Sequence, residues 1–484
     1  MGLSFRILLR TELASITTLL SNNQIYNCIL TSHGLIIVFL LVIPYFIGTL
    51  SNIFVPLFTR VIDITYPRLN ILRLWLLIPG GILILISFRT ESGSGTGWTL
   101  YPPLRSKVGH PAHRIDLLIL IVHILGCSRV ISSINFVRTV IIFKLTELRD
   151  VRVFIWGILT SSILLILSLP VLGGGVTLLL FERNFNRRYF DINRGDVVLF
   201  QHLFWFFAHP EVYVLILPGF GVISLRVSYM CGLEDVFRKT TIVYCILRIT
   251  LLGCVVYAHH QYTVGLDLDT RQYFSTSTII IRIPTGIKVL RWIIGLFSSP
   301  NYFQPTLYWV VGFICLFTIG GVTGIILSNT SIDIVLHDTY FTTSHFHQVL
   351  SLGSVFGIFC SLSLFYPLIF GYIYQNIFMC SSFWIIFFGV NLTFIPQYVL
   401  GSNGLPRKFP ESSTYFSWIN FLRSSARNFT SIGLFLFLFR ILEPVVSLRN
   451  NKTTNSQKQE ETAGLSTGGV LKHRNTETRL IFYN

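Results

Sequence analysis

"YFTTSHFHQVLSLGSVFGIFCSLSLFYPLIFG", residues 340–371, contains no Asp, Glu, Lys or Arg. A helix needs about 20 apolar residues to cross a bilayer, so this stretch reads as a membrane span. Yet it carries His345 and His347. Burying a polar group without a partner costs roughly 2–7 kcal/mol, and something has to offset that cost. Successive helical residues turn by about 100°, so the two imidazoles project about 200° apart, onto nearly opposite faces. They cannot ligate one metal. They can serve two cofactors on either side of one helix, and neutral imidazole is the common axial ligand of haem iron.

The rest of the chain agrees with a membrane setting. Of its 484 residues, 52% are hydrophobic and only 12% are charged, and the mean hydropathy is +0.65. A soluble domain carries about a quarter charged residues. Apolar runs long enough to span lie at 29–58, 71–88, 115–141, 153–181, 197–225, 240–258, 273–293, 306–327, 340–371, 377–400 and 416–442, with residues 1–20 a fragment of a twelfth. The expected fold is an all-α membrane protein, a bundle of about 12 transmembrane helices over 21–445. Residues 446–484 form a polar tail expected to be disordered. The formal charge of +16 points to anionic headgroups and acidic partner subunits and not to nucleic acid, because no soluble basic domain presents it. Eight cysteines without CxxC pairs indicate neither a thiolate site nor a disulfide framework. No cleavable signal peptide is evident, and no internal repeat suggests an inverted-repeat transporter.

Twelve histidines are present. His110, His113 and His473 fall in loops or the tail and read as solvated side chains. His123 and His202 read as structural hydrogen-bonders. Seven more (His33, His209, His259, His260, His337, His345 and His347) lie near spanning runs, where ionisable residues are rare and usually functional. "YAHHQYTVG" places His259 and His260 at the end of a span, and "FWFFAHPEVYVLILPGFG" places His209 beside Pro210, Glu211 and Tyr213. Three neutral imidazoles without thiolate or carboxylate suit copper or zinc, and copper is the redox-capable choice. His209 and Tyr213, four residues apart, share a helix face.

"HLFWFFAHPEVYVLILPGFG", "AHHQYTVGLDLDTRQYF", "IPTGIKV" and "DIVLHDTYFTTSHFHQVL" together resemble the signature segments of subunit I of the haem-copper oxidases, in the branch served by cytochrome c. "YPPL", "SLPVL", "FIPQYVLG" and "GLPRKFP" extend the likeness from about Arg10 to about Glu443. The resemblance implies a proton-pumping enzyme of the mitochondrial inner membrane, or alternatively of a bacterial plasma membrane. It would reduce dioxygen to water with two haems A, one low-spin and one high-spin, and a copper, and would also hold a magnesium. Its implied partners are a copper-bearing subunit II, subunit III, accessory subunits, cytochrome c and the lipid membrane.

By that resemblance His33 and His347 are the ligands of the low-spin haem, with Arg10 near its formyl group. His345 is the proximal ligand of the high-spin haem, facing a copper held by His209, His259 and His260, and Tyr213 is joined covalently to His209. Arg407 and Lys408 meet the haem propionates, although lysine lacks the planar fork that arginine presents to carboxylates. His337 and Asp338 contribute to the magnesium site, completed by a carboxylate of subunit II. Asp63, Asn52 and Asn70 line a proton route ending at the relay Glu211. Ser224, Thr278, Thr285 and Lys288 line a second, ending near Tyr213.

The chain also departs from the family pattern. Its first helix is expected to be short, judged by where Arg10 falls, and Ala208 replaces a glycine before the first copper histidine. Arg73, Arg129, Arg138, Arg248 and Arg282 stand where small or neutral residues are usual, each costing at least about 2.5–3.5 kcal/mol within a span. Either they face partner subunits, polar cavities or headgroups, or their codons are decoded as other residues. Peptide masses across Arg248 and Arg282 separate the two. A quinol oxidase of the same superfamily is the nearest rival, and Asp338 argues against it. A metal-free transporter with relaying histidines is the rival from another class, and haem and metal content distinguishes it.

Overall fold

The computed structural model describes residues 1–14, 19–20, 22–90, 93–145, 147–233, 235–297, 304–372 and 374–446. The expected tail beyond 446 and His473 lie outside the described residues. Apolar side chains without turn signals make long helices, and these follow one another along the chain. In order they are α1 (Gly2–Glu12), α2 (Asn23–Thr59), α3 (Pro67–Arg89), α4 (Arg114–Phe143), α5 (Val153–Asn184) and α6 (Val197–Met230). Next come α7 (Lys239–Gly253), α8 (Leu268–Ile280), α9 (Arg282–Phe297), α10 (Pro305–Leu327) and α11 (Thr330–Leu336). The last are α12 (Tyr340–Phe370), α13 (Asn376–Ser402) and α14 (Ser417–Val446). Among the described residues no strand forms, and Thr339 and Pro406 make an isolated bridge.

Among the described residues, nine helical segments are long and apolar enough to cross a membrane. The other two expected spans are present in altered form. Residues 240–258 become the 15-residue α7 followed by a tight turn at Tyr257–Gln261, and 273–293 is divided between α8 and α9 at Ile281. Residues 1–20 contribute α1. The bundle of about twelve helical elements therefore matches the expectation.

Local chemistry sets the helix ends. Asn22 caps α2, its side chain accepting from the amides of Gln24 and Ile25, and Asp196 caps α6 through Val198. Side-chain acceptors of this kind satisfy amides that the first helical turn leaves open. Pro67 and Pro305 open α3 and α10, where a missing N–H costs nothing. Gly371 ends α12 at φ 72°, a conformation that glycine adopts without strain.

Two helices form the centre. The most apolar stretches of α6 and α12 are 83% and 67% buried, against 22–50% for the other spans. Both pack on α10, and aromatic rings fill the space between them. Phe220 of α6 meets Phe317 of α10 edge-on at 5.0 Å, and Trp309 of α10 meets Phe356 of α12 at 5.2 Å. Within α12 the backbone widens into a π-helical turn from His347 to Leu352, a device common at functional sites. The wider turn begins at the second of the two histidines quoted above.

At one end of the bundle the connector before α4 is held by a buried cation. Arg183 of α5, 1% exposed, donates from Nε to Asp116 at 2.6 Å, and from Nη1 to the carbonyls of Arg105 (2.6 Å) and His110 (2.9 Å). Its Nη2 donates to the carbonyl of Ala112 at 2.7 Å. This places His110, expected to be solvated, in the interior instead, its Nδ1 donating to Leu104 O at 2.7 Å. Burial lowers its pKa, and the cations of Arg114, Arg105 and Arg183 add to the effect. The connector folds inward because its carbonyls find a cation, which composition alone did not reveal. His113 stays exposed beside Asp116. Replacing Arg183 with leucine removes the cation paired with Asp116 and the side-chain donor to three carbonyls. Breaking a buried pair costs about 3–5 kcal/mol, so Arg183→Leu should lower the thermal midpoint of the purified complex, followed by loss of its visible spectrum. An unchanged midpoint removes the anchor role.

Candidate metal centre

The tight turn after α7 brings His259 and His260 against His209 of α6. The ligand atoms of these three imidazoles all lie within 4.8 Å of one another. His260 Nε2 is 3.2 Å from His209 Nδ1 and 3.1 Å from His259 Nε2. Thr278 already donates its hydroxyl to Phe274 O at 2.5 Å, so it accepts from His259 Nδ1 at 3.2 Å. His259 Nε2 is therefore left with a lone pair. One nitrogen cannot make two N–H bonds, so the convergence calls for a cation. An ion with bonds of about 2.0–2.1 Å to imidazole spaces its ligand atoms roughly 3.3–3.6 Å apart, close to what is seen. The residues fit a metal held by three neutral imidazoles, the donor set that suits copper.

The surroundings of the cluster are rigid and aromatic. Trp205 stacks on His260 at 3.9 Å with 14° between the planes, and its Nε1 donates to the Tyr101 hydroxyl. The Tyr213 ring lies 4.7 Å from that of His209, tilted by 70°. His209 Nε2 is buried without a hydrogen-bond partner among the described residues.

Three other histidines share one arrangement. His345 Nδ1 donates to Gly320 O at 2.9 Å, His347 Nδ1 to Thr343 O at 2.8 Å, and His33 Nδ1 to Gly2 O at 2.9 Å. A carbonyl only accepts, so each Nδ1 carries the proton and each Nε2 keeps a lone pair, the tautomer an axial ligand needs. The two imidazoles of α12 sort to different neighbours. His347 lies in the electrostatic reach of His33, and His345 in that of His259. Phe346, between them, remains 36% exposed. Gly324 allows the His345 ring to lie against α10, since a Cβ there would sit 2.8 Å from the imidazole Cε1. These features fit two haems, one held by His33 and His347 and one by His345.

Arg10 belongs to a buried cluster around Tyr340 and Arg423, whose guanidinium sits 4.2 Å from the Tyr340 ring. Arg407, expected to face propionates, donates Nε to Asp338 Oδ1 at 2.6 Å, while Lys408 is exposed at φ 72°. Burial tends to raise the pKa of Asp338, but Arg407, Lys408 and His337 together outweigh it and hold the carboxyl below its ordinary value. His337 Nε2 lies 3.9 Å from Asp338 Oδ2 and its Nδ1 3.2 Å from Asp333. An octahedral magnesium with bonds of about 2.1 Å spaces adjacent ligand atoms about 3.0 Å apart, so His337 and Asp338 are near enough to reach one ion only after a small approach. Asp333, one helical turn before His337 and 4% exposed, was missed by the sequence reading. Its i, i+4 spacing was the available signal.

The residues expected to carry protons are partly connected. Asp63 is exposed, and Asn52 donates to Asn70 at 3.1 Å. Beyond them stand two of the unusual arginines. Arg73 donates to Asn70 at 2.6 Å and to Ser132 at 3.3 Å. Arg129 pairs with Glu211 at 2.7 Å, with the two side chains 5% and 1% exposed. Arg129 therefore faces an acid inside the bundle, not a partner subunit or headgroup. Arg138 lies over the Tyr66 ring at 5.0 Å, whereas Arg248 and Arg282 are exposed on the outer surface. The second group is looser. Lys288 is buried over the Phe220 ring at 4.4 Å, with no hydrogen-bond partner for Nζ among the described residues. Ser224 accepts from Trp292, Thr285 donates to Ile281 O, and Thr278 touches His259. Of the two remaining histidines, His123 bonds Ile119 O and Thr177, while His202 Nδ1 is buried without a hydrogen-bond partner among the described residues.

Residues 1–427 match the family described as cytochrome c and quinol oxidase polypeptide I. The chain is 42% identical over 454 residues to cytochrome c oxidase subunit 1 of Mytilus edulis, covering 93% of this chain and 82% of that protein. It is 40% identical over 459 residues to the same subunit of Eremothecium gossypii, with 94% and 86% covered. For Candida albicans the identity is 38% over 463 residues, with 95% and 86% covered. A solved heme-copper terminal oxidase dimer superposes with a TM-score of 0.75 at 17% identity, covering 96% of this chain and 88% of that one. At that identity the likeness speaks for the fold alone. Profile, relatives and fold agree, and the chain belongs to the cytochrome c and quinol oxidase polypeptide I family, whose members are multi-pass membrane oxidoreductases built around haem and copper.

Proposed function

We propose that the chain is the catalytic subunit of a respiratory terminal oxidase of the mitochondrial inner membrane. It reduces dioxygen to water with electrons from cytochrome c, received through a copper-bearing subunit II, and pumps protons. The observation that carries this reading is the triple-imidazole cluster of His209, His259 and His260, set beside a His345 whose Nε2 is free. The carboxylate of Asp338 favours cytochrome c over quinol as the donor. A reduced-minus-oxidised spectrum identifies the haem type and tests the assignment to haem A.

When bound, a high-spin haem and copper supply the electrons and the Lewis acidity that dioxygen reduction needs. The chain's own residues position those groups and deliver protons. Gly320 O and Thr343 O fix the tautomers of His345 and His347, and Thr278 fixes that of His259. His337 and Asp338, with a carboxylate from subunit II, would hold a magnesium, and Arg407, Lys408 and Arg10 would meet the polar edges of the haems. One proton route runs from Asp63 past Asn70 and Asn52 to Glu211, where an arriving proton has to break the Arg129 pair. The other uses Lys288, Thr285, Thr278 and Ser224 and ends near Tyr213.

His345→Ala should remove the high-spin haem signal and leave the low-spin spectrum, and His347→Ala should do the converse. Equal loss of both haems in an assembled His347 variant contradicts the assignment. Asp63→Asn should suppress proton release in reconstituted vesicles more than haem content, because Asp63 lies at the surface, away from every histidine of the centre. Unchanged pumping at unchanged turnover removes it from the route. Tyr213 is proposed to be bonded to His209, which would ease its oxidation so that it lends an electron with a proton beside the oxygen site. Tyr213→Phe should then keep copper and both haems and lose at least ~100-fold in turnover, the low end for a group transferring protons in the reaction. Near-normal oxygen consumption by that variant excludes the role.

A further inference from the structure

The hydrogen bonding of His345 does not stop at Gly320. Its Nδ1 also lies 3.3 Å from Thr323 Oγ1, the Thr323 hydroxyl is 2.9 Å from the Tyr398 hydroxyl, and Tyr398 donates to Gln348 Oε1 at 2.8 Å. Gln348 is fully buried on α12. Thr323 is one turn along α10 from the Gly320 carbonyl, and Tyr398 reaches in from α13, its ring held edge-on by Phe341 at 4.9 Å. Each hydroxyl has a single hydrogen, which gives the chain of bonds a direction. Thr323 Oγ1 has three acceptors in reach, Gly320 O at 2.9 Å, Ile319 O at 3.2 Å and the Tyr398 hydroxyl at 2.9 Å. Because Tyr398 spends its own hydrogen on Gln348, the Tyr398 contact is a hydrogen bond when Thr323 supplies it. Thr323 then turns lone pairs toward His345, and the imidazole N–H is shared between Gly320 O and Thr323 Oγ1.

We infer that Tyr398, acting through Thr323 and anchored by Gln348, is a positioning residue that tunes His345 as the proximal ligand of the high-spin haem. This rests on the assignment of His345 made above. Bonds in such a chain polarise one another, and the partner of a ligating histidine's second nitrogen sets its basicity as a ligand. A stronger acceptor at Nδ1 pushes electron density to Nε2, strengthening the bond to iron and favouring the oxidised metal. Without the Tyr398 hydroxyl, Thr323 is free to donate to Gly320 O at 2.9 Å or Ile319 O at 3.2 Å. It would then compete with His345 for the Gly320 carbonyl instead of accepting from it. The donor strength of the ligand falls.

The test uses the intact oxidase complex carrying Tyr398→Phe or Thr323→Val, each close in shape to the native residue. Resonance Raman of the reduced enzyme reads the iron–histidine stretch, and a redox titration reads the two haems separately. Both variants should lower the stretching frequency and raise the share of electrons on the high-spin haem, relative to the low-spin haem, by roughly threefold. That is the size expected when part of one hydrogen bond is lost. The double variant should shift no further than either single one, because both break the same chain. An unchanged stretch and electron share in both variants overturns the proposal and makes Tyr398 a packing residue, as does a shift confined to the low-spin haem. His345→Ala separates this failure from failure of the underlying assignment. If that variant retains the high-spin signal, His345 is not the ligand; if it loses the signal while Tyr398→Phe changes nothing, only the tuning is wrong.

Discussion

A nitrogen inside a membrane bundle has no water to bond, and most of this structure can be read as the consequence. Every candidate axial histidine gives its Nδ1 proton to a backbone carbonyl, either from its own helix, as with Thr343, or from a neighbouring segment, as with Gly320 and Gly2. A carbonyl of a regular helix already accepts one bond but keeps a second lone pair, so the bundle can satisfy these rings without breaking its helices. What remains is an imidazole lone pair fixed in direction and shielded from solvent. Three more imidazole nitrogens meet at the His209, His259 and His260 cluster, where a single hydrogen on His260 Nε2 cannot fully satisfy both neighbours. The same rule that makes polar groups costly in the membrane leaves these histidines poised as candidate ligands.

Charged side chains face the same constraint more severely, and the structure meets it in two ways. Arg183 is surrounded by carbonyls and Asp116, and its burial draws a surface connector into the fold. Arg129 is met by Glu211 and by the face of Phe39 at 4.1 Å, and among the described residues its Nη2 and the second carboxylate oxygen have no hydrogen-bond partner. A buried pair of this kind gains little net stability over an apolar contact, and it ties the acid to α4. With Arg73 on Asn70, two cations stand along the line from Asp63 to Glu211. The Lys288 group carries no such pairing and shows the contrast. Along the routes proposed above, proton movement would therefore depend on which buried charges are matched.

Much of the fold was legible from the order of residues. Hydrophobic length marked nine spans to within a few residues at most ends, because a segment that must cross hydrocarbon has few alternatives to a long apolar helix. The same reading named the two less regular spans, 240–258 and 273–293, but not their shortening and division into Lys239–Gly253 and 268–297, because those departures come from packing. The turn that follows the first presents His259 and His260 to α6, and the break at Ile281 divides the second. The π-helical turn at His347–Leu352 was equally invisible, since one wider turn leaves the hydropathy pattern unchanged.

For the site, the sequence by itself determined which residue types were available and which shared a helix face. His209 with Tyr213, and His345 opposed to His347, follow from helical spacing. It could not determine what met those faces. That His260 stands between two other imidazoles, that Arg129 reaches Glu211, and that Tyr398 joins Thr323 to Gln348 are contacts between segments 50 or more residues apart, apart from the neighbouring His259. Such contacts depend on how helices are rotated and offset in the bundle. Those quantities are set by the packing of Phe220, Trp309, Phe313 and Phe356 and by close approaches at Gly320 and Gly324. Helical periodicity fixes direction within one element, and only tertiary packing fixes which elements face each other.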